Sequence, residues 1–233
     1  MKNIILFVLT ISIVACSNNK ADLTVIGNVK GLKKGTIYLK KIQDTAMVTL
    51  DSILISGTPE FVLETNLEEP EVLYLVLDKN DTDEGRIRFF ANKGITEINT
   101  TLKNFAFDAN IVGSREQTLL QEHNDMALKY NNKKLDIIKE NFDALKDNDS
   151  IKAMETNLQQ ESLLKSKYLY TINFALNHKT SRVSPYLALT EIMDARLKYL
   201  DTIYRSLPDS IASSKYGKEL KILIEEISDS EDN

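Results

Sequence analysis

Cys16 is the only cysteine in the chain, and its neighbours say what its sulfur is for. Ile13-Val14-Ala15-Cys16 reads as a bacterial lipobox: an aliphatic residue, a permissive position, a small residue, then the cysteine that receives lipid. Ahead of it lie a short basic start, Met1-Lys2-Asn3, and an apolar run from Ile4 to Ala15. A basic start, an apolar segment of roughly 7–15 residues and a small residue at the cut are the parts of a secretory signal. The run is too short to cross a bilayer, which takes about 20 residues. The weaker alternatives are an ordinary signal peptide with a coincidental cysteine, or a short uncleaved anchor. The lipobox reading assigns 1–15 as signal peptide and Cys16 as the lipidation site. Diacylation of the thiol and acylation of the new amino terminus then anchor the protein, because each buried CH₂ contributes about 0.8 kcal/mol and stable anchoring takes two or more chains.

The remaining chemistry-bearing residues make a sparse set. His123 falls on the apolar stripe of a long helix and His178 near the end of the next, far apart and without cysteine or carboxylate partners at ligand spacing. Both read as packed or surface histidines. Asp78-Lys79-Asn80-Asp81-Thr82-Asp83-Glu84-Gly85 is the only dense oxygen cluster, and Asp78, Asn80, Asp81 and Asp83 are its possible cation ligands. The glycine and closing glutamate of a calcium-binding helix–loop–helix are out of place, so a solvated loop between two strands is the favoured account. There is no Gly-x-Ser-x-Gly elbow and no phosphate-cradling loop. The chain reads as non-catalytic, with no cofactor and no metal.

Net charge is −5, with acidic and basic residues spread evenly, so nucleic acid is not an expected partner. One cysteine leaves no disulfide, and stability must come from the core. Residues 16–22 read as a polar tether of up to about 20 Å when extended. Ser17, rather than an acidic residue, follows the cysteine, which resembles lipoproteins sent to the outer membrane.

The elements that would position a site divide into two parts. Residues 23–113 read as short strands at 23–29, 36–40, 47–55, 60–64, 72–77, 86–91, 95–99 and one near 107–112, of which 60–64 alternates polar and apolar as a half-buried strand does. Turns separate them, with Asn92-Lys93-Gly94 read as a hairpin loop. Eight such strands imply an antiparallel β-sandwich or barrel. Val72–Leu77 is apolar throughout, as in a strand buried on both faces. At Ser114 the period becomes helical. Ser114-Arg115-Glu116-Gln117 reads as a capping box in which Gln117 reaches back to Ser114. Residues 114–228 are read as a layer of about four helices: a long hairpin turning at 146–149, a helix capped by Ser184 with Pro185 at its first position, and a last helix over about 209–227. Residues 229–233 form an acidic tail. The fold class is therefore α+β. Seven of the nine tyrosines lie in the helical part, most of them expected at its seam with the strands. Tyr168 and Tyr170, about 200° apart around one helix, cannot both face the same core.

Gly27-Asn28-Val29-Lys30-Gly31, Gly35-Thr36-Ile37-Tyr38-Leu39, Asp51-Ser52, Phe61, Pro70 and Gly113-Ser114 carry a resemblance. So do Ser184-Pro185-Tyr186 and Ser214-Lys215-Tyr216-Gly217-Lys218. The chain resembles Bacteroidetes envelope lipoproteins with an uncharacterised domain, domain of unknown function family 4369. That domain often precedes the thioredoxin-like domain of TlpA-type thiol–disulfide oxidoreductases. In the redox members a Cys-x-x-Cys domain would begin near Asn233, where this chain stops. Exchange needs a thiolate and usually a resolving thiol, so the redox activity carries over to no residue here. The resemblance implies an envelope lipoprotein, held by lipid on Cys16, that binds an envelope protein or a small ligand of unknown identity. Its alternative is an accessory domain for a separate thioredoxin-like protein in the periplasm.

Overall fold

A computed structural model describes residues 21–44, 46–78 and 85–231. Cys16 and the loop residues Asn80, Asp81 and Asp83 lie outside the described residues. Eight strands come first: β1 (Leu23–Lys30), β2 (Lys34–Gln43), β3 (Ala46–Ser56), β4 (Glu60–Thr65), β5 (Glu71–Leu77), β6 (Arg86–Ala91), β7 (Gly94–Thr101) and β8 (Asn110–Val112). Six helices follow: α1 (Arg115–Lys146), α2 (Ser150–Asn177), α3 (Val183–Glu191), α4 (Leu197–Ser206), α5 (Asp209–Ala212) and α6 (Lys215–Glu231). The fold is α+β.

The strands form two sheets of four, in the orders β4-β1-β7-β8 and β3-β2-β5-β6. Alternate residues of both sheets share one core, with Leu23, Val25, Phe61, Leu63 and Ile98 from the first and Ile37, Leu39, Leu73, Leu75, Ile87 and Phe89 from the second. The arrangement is a sandwich, and it is not wholly antiparallel: β1 and β7 pair in parallel. Asn92-Lys93-Gly94 is likewise not a hairpin, because β6 and β7 belong to different sheets. The chain crosses over there, guided by Asp22: Gly94 N–H donates to the Asp22 carbonyl at 2.7 Å and Lys93 pairs with its carboxylate at 2.8 Å. Lys93 and the Leu67 amide hold the Asp22 carboxyl below its ordinary value. Asp22, read as the end of the tether, is thus tied to the sandwich.

Two of the motif residues have a clear task. Gly27 pairs with Ile98 so closely that a Cβ would fall on the Ile98 carbonyl oxygen. Asp51 follows a bulge in the edge strand β3 and accepts the Glu64 amide of β4 at 2.8 Å, so it ties one sheet's edge to the other's.

Among the described residues the helical layer has six helices rather than four, because two runs break. The chain leaves the helix at Ile192 (φ −144°) and restarts at Leu197. The final run breaks at Ser213 and Ser214, whose hydroxyls donate back to the carbonyls of Asp209 and Ile211 at 2.7 and 2.6 Å. Such local bonds compete with the helix ladder. Gly217 lets α6 start against α5, since a Cβ there would meet the Ile211 and Ala212 carbonyls. Ser184 is not a cap. It lies inside α3, buried, and its hydroxyl has no partner. Ser181 takes the terminal role, accepting the Val183 amide at 3.2 Å. Pro185 still fits, because the first helical amides have no partner within the helix.

The hairpin turn forms as read. Asn148 is left-handed (φ 56°) and Asp149 accepts the Lys152 amide at 3.0 Å.

Candidate functional site

The site grows from β5, whose seven residues are buried or half-buried. Leu73, Leu75 and Leu77 enter the sandwich core. Val72 and Tyr74 point to the other side, where a second cluster joins Phe90, Leu119, Leu120, Phe174, Tyr186 and Tyr216. Cross-strand pairing sets Val72 beside Phe90 and Tyr74 beside Arg88. The helices therefore pack on the outer face of this sheet.

Hydrogen bonds fix that seam. Phe90 lies on β6, an edge strand, so its amide has no further strand to pair with. It donates to Gln117 Oε1 at 2.7 Å, and the Phe90 carbonyl accepts from Ser114 Oγ at 3.2 Å. Ser114 accepts the Gln117 amide as expected, but Gln117 does not reach back to close a capping box. Its carboxamide serves the sheet. The Val72 amide donates to the Tyr216 hydroxyl at 2.8 Å. Burial pushes the Tyr216 hydroxyl far above the usual phenol value. Phe90, Tyr186 and Tyr216 meet edge to face, with centroids 5.0–5.9 Å apart, a favoured aromatic geometry.

Glu69 sits in the loop ahead of β5 and caps α6, accepting the Lys215 amide at 2.9 Å and Arg182 Nε at 3.2 Å. A carboxylate at a helix N-terminus complements the unmet amides and the helix dipole. Glu71, buried, pairs with Lys215 at 2.7 Å and Lys41 at 3.8 Å.

Above this seam opens a cleft of about 540 Å³. Tyr74 and Val72 form its floor, Arg88 one wall, Tyr186 and Thr190 of α3 and Lys215, Tyr216 and Glu219 of α6 the others. The tip of the β2–β3 hairpin, Lys41 to Asp44, overhangs it. Arg88 is exposed, lies 6.0 Å from the Tyr186 ring, and makes no ion pair among the described residues. Burial pushes the Glu219 carboxyl up; Lys215 pulls it down, and Glu71 and Glu69 push it further up. Burial also raises the Tyr186 hydroxyl. The cleft thus offers an exposed guanidinium, ring faces and a carboxyl that holds its proton more readily than usual. No serine, cysteine or histidine lines it.

Of the residues singled out in the sequence, Tyr186, Lys215 and Tyr216 line this cleft, and the histidines lie elsewhere. His123 is wholly buried between α1 and α2, with Nε2 3.0 Å from Thr171 Oγ1 and its ring stacked on Tyr170 at 5.6 Å. Nδ1 has no partner. A bare lone pair there costs less than an unmet N–H, which favours the proton on Nε2. Burial depresses the imidazole's pKa. His178 is not remote from it: both histidine rings touch Phe174, at 5.4 and 4.3 Å. Among the described residues no three metal-binding side chains gather. Tyr170 faces His123, whereas Tyr168 donates to Asp194 at 2.6 Å, which pushes its hydroxyl up to about 12. Only Tyr170, Tyr186 and Tyr216 of the seven helical tyrosines belong to the seam cluster; Tyr168, Tyr199 and Tyr204 pack within the helical layer. Arg88, Glu69 and Glu219 are not marked in the sequence, and Gln117 is marked only as a cap, not as the partner of Phe90. The Glu69–Pro70 turn ahead of a wholly apolar strand was the one signal available.

Fold and cleft together define an α+β protein in which a two-sheet sandwich carries a helical layer on one outer face. Residues 23–120 match the family described as Domain of unknown function (DUF4369), so the match spans the sandwich and the start of α1. No curated protein matches the chain. Among the described residues no helix is long and apolar enough to cross a membrane.

Proposed function

We propose that this protein is a non-catalytic envelope lipoprotein, anchored through lipid on Cys16, that binds a small ligand in the cleft between sandwich and helices. The observation that carries the reading is Arg88, a guanidinium without an ion pair among the described residues, held beside Tyr74 and Tyr186 in a cleft of ligand size. The ligand it fits has an anionic group for Arg88 and an apolar or ring face for the tyrosines. The lipobox supports the anchor, and Ser17 in place of an acidic residue after the cysteine supports the outer membrane as the compartment.

Native mass spectrometry of the intact lipoprotein isolated from its own envelope tests the binding. Wild type should carry a small-molecule adduct that Arg88→Ala loses. A charge-assisted contact of about 1.5–3 kcal/mol corresponds to roughly 10–150-fold in affinity. An adduct retained undiminished by Arg88→Ala, or a bare chain in both, contradicts the reading.

A second reading, an accessory for a separate thioredoxin-like protein, draws on the matched domain. It expects crosslinking in the envelope to recover a Cys-x-x-Cys protein.

A further inference from the structure

The outer part of the α1–α2 hairpin presents apolar side chains that stand largely exposed among the described residues. On α1 these are Leu128, Leu135, Ile138, Phe142 and Leu145; on α2 they are Ile151, Met154 and Leu158. Each exposes between 42% and 71% of its surface. Soluble chains rarely leave so contiguous an apolar surface open unless something docks there.

The spacing says what kind of partner fits. Leu128, Leu135 and Phe142 recur every seven residues, and Asn131, Ile138 and Leu145 recur every seven between them. This is the a and d pattern of a helix that packs knobs into holes along another helix, with one polar d position. The pattern is not used by α2. The seam between the two helices runs through Ile137 and Ala144, both buried, and through Asn141, whose amide reaches the Ala153 carbonyl at 3.1 Å and Thr156 Oγ1 at 2.7 Å. Ile138 and Leu145 lie roughly 100° round the axis from that seam. On α2, Met154 stands one residue beyond the seam residue Ala153, turned in the same sense. Because the helices run antiparallel, the two stripes emerge on one side of the hairpin.

We propose that this side of the hairpin is the contact between two copies of the chain, with α1 of one copy against α2 of the other. Charge favours that pairing over like against like. Lys139 and Lys146 flank the α1 stripe, whereas Glu155 and Glu161 flank that of α2. The area is sufficient. Eight such side chains offer on the order of 1,000 Å² per copy, against about 800 Å² for each side of a stable interface. Two hairpins joined in this way make a four-helix bundle, a packing that suits a heptad stripe. Both copies would be held to one membrane, which raises their effective concentration.

The test uses the full chain in its own membrane. Ile138→Cys puts one thiol on the stripe; Asp136→Cys puts one on an exposed position of the opposite side. Each is treated with a short bismaleimide, beside the parent chain as control. Ile138→Cys should give a product of twice the chain mass, Asp136→Cys and the parent little or none. Adding Phe142→Glu to Ile138→Cys should cut the product at least tenfold. Phe142 is exposed in the single chain, so that change has no reason to impair folding. Equal products from both thiols, a product indifferent to Phe142→Glu, no doubled product, or conjugation of Ile138→Cys to a different protein would each overturn the proposal. So would a lone chain whose position-138 thiol reacts with membrane-soluble but not water-soluble maleimide.

Discussion

The Phe90 amide donates to the Gln117 side chain across 2.7 Å, and this bond joins the open edge of the sandwich to the first turn of the helical layer. Gln117 is almost fully buried. Gln117→Leu keeps the volume and removes the acceptor. An unmet buried amide costs about 1–3 kcal/mol, so the urea midpoint should fall by that equivalent. Hydrogen exchange at the Phe90 amide should speed up, while exchange in the far half of α1 should not change.

Gly27→Ala should destabilise more than a surface change does. The added Cβ falls on the Ile98 carbonyl in a parallel pair that both strands need. Circular dichroism melting should show a loss of several degrees, since about 1 kcal/mol moves the midpoint of a domain this size by roughly 2–4 °C. Gly57→Ala is the contrast. No atom stands within 4 Å of a Cβ there, so only its positive φ of 103° opposes the change.

His123 makes stability depend on pH. Its folded pKa lies below the ordinary value of 6.5, mainly because it is buried. The unfolded chain therefore binds more protons in the window below 6.5. Stability is fully present above about pH 6.5 and falls as pH drops toward the folded value, by about 1.4 kcal/mol per unit of displacement. His123→Phe keeps the ring between Tyr170 and Phe174 and removes the titration. Chemical denaturation at pH 7.5 and 5.5 should show a drop in wild type and a smaller one in the variant.

What is legible in the sequence is local. The strand runs, the Ser114 cap and the turn at Asn148 rest on patterns a few residues wide. What did not come through is pairing across distance. Nothing near Leu23 marks β7 as its parallel neighbour, and nothing near Gln117 marks Phe90 as its partner 27 residues away. A capping-box pattern is satisfied equally well by a glutamine that turns outward to a sheet edge. The cleft is harder still, because β2, β5, β6, α3 and α6 each supply part of it. Arg88 read only as a polar residue on an alternating strand. The break at Ser213 and Ser214 has no proline to mark it, because serine hydroxyls end the run there.

Cys16→Ala removes the proposed lipid acceptor. The protein should move from the membrane pellet to the soluble fraction on cell lysis. A variant that stays in the pellet with residues 1–15 still attached would speak against the lipobox.

The cleft is the centre of the account, and amide chemical-shift mapping of the folded protein tests it most directly. The probe is the small-molecule extract of the envelope from which the protein comes, added to wild type and to Arg88→Ala. Amides of Tyr74, Arg88, Thr190 and Glu219 should shift in wild type, and Arg88→Ala should abolish those shifts or weaken them at least tenfold. Shifts gathered away from the cleft, or cleft shifts that Arg88→Ala leaves intact, would contradict it.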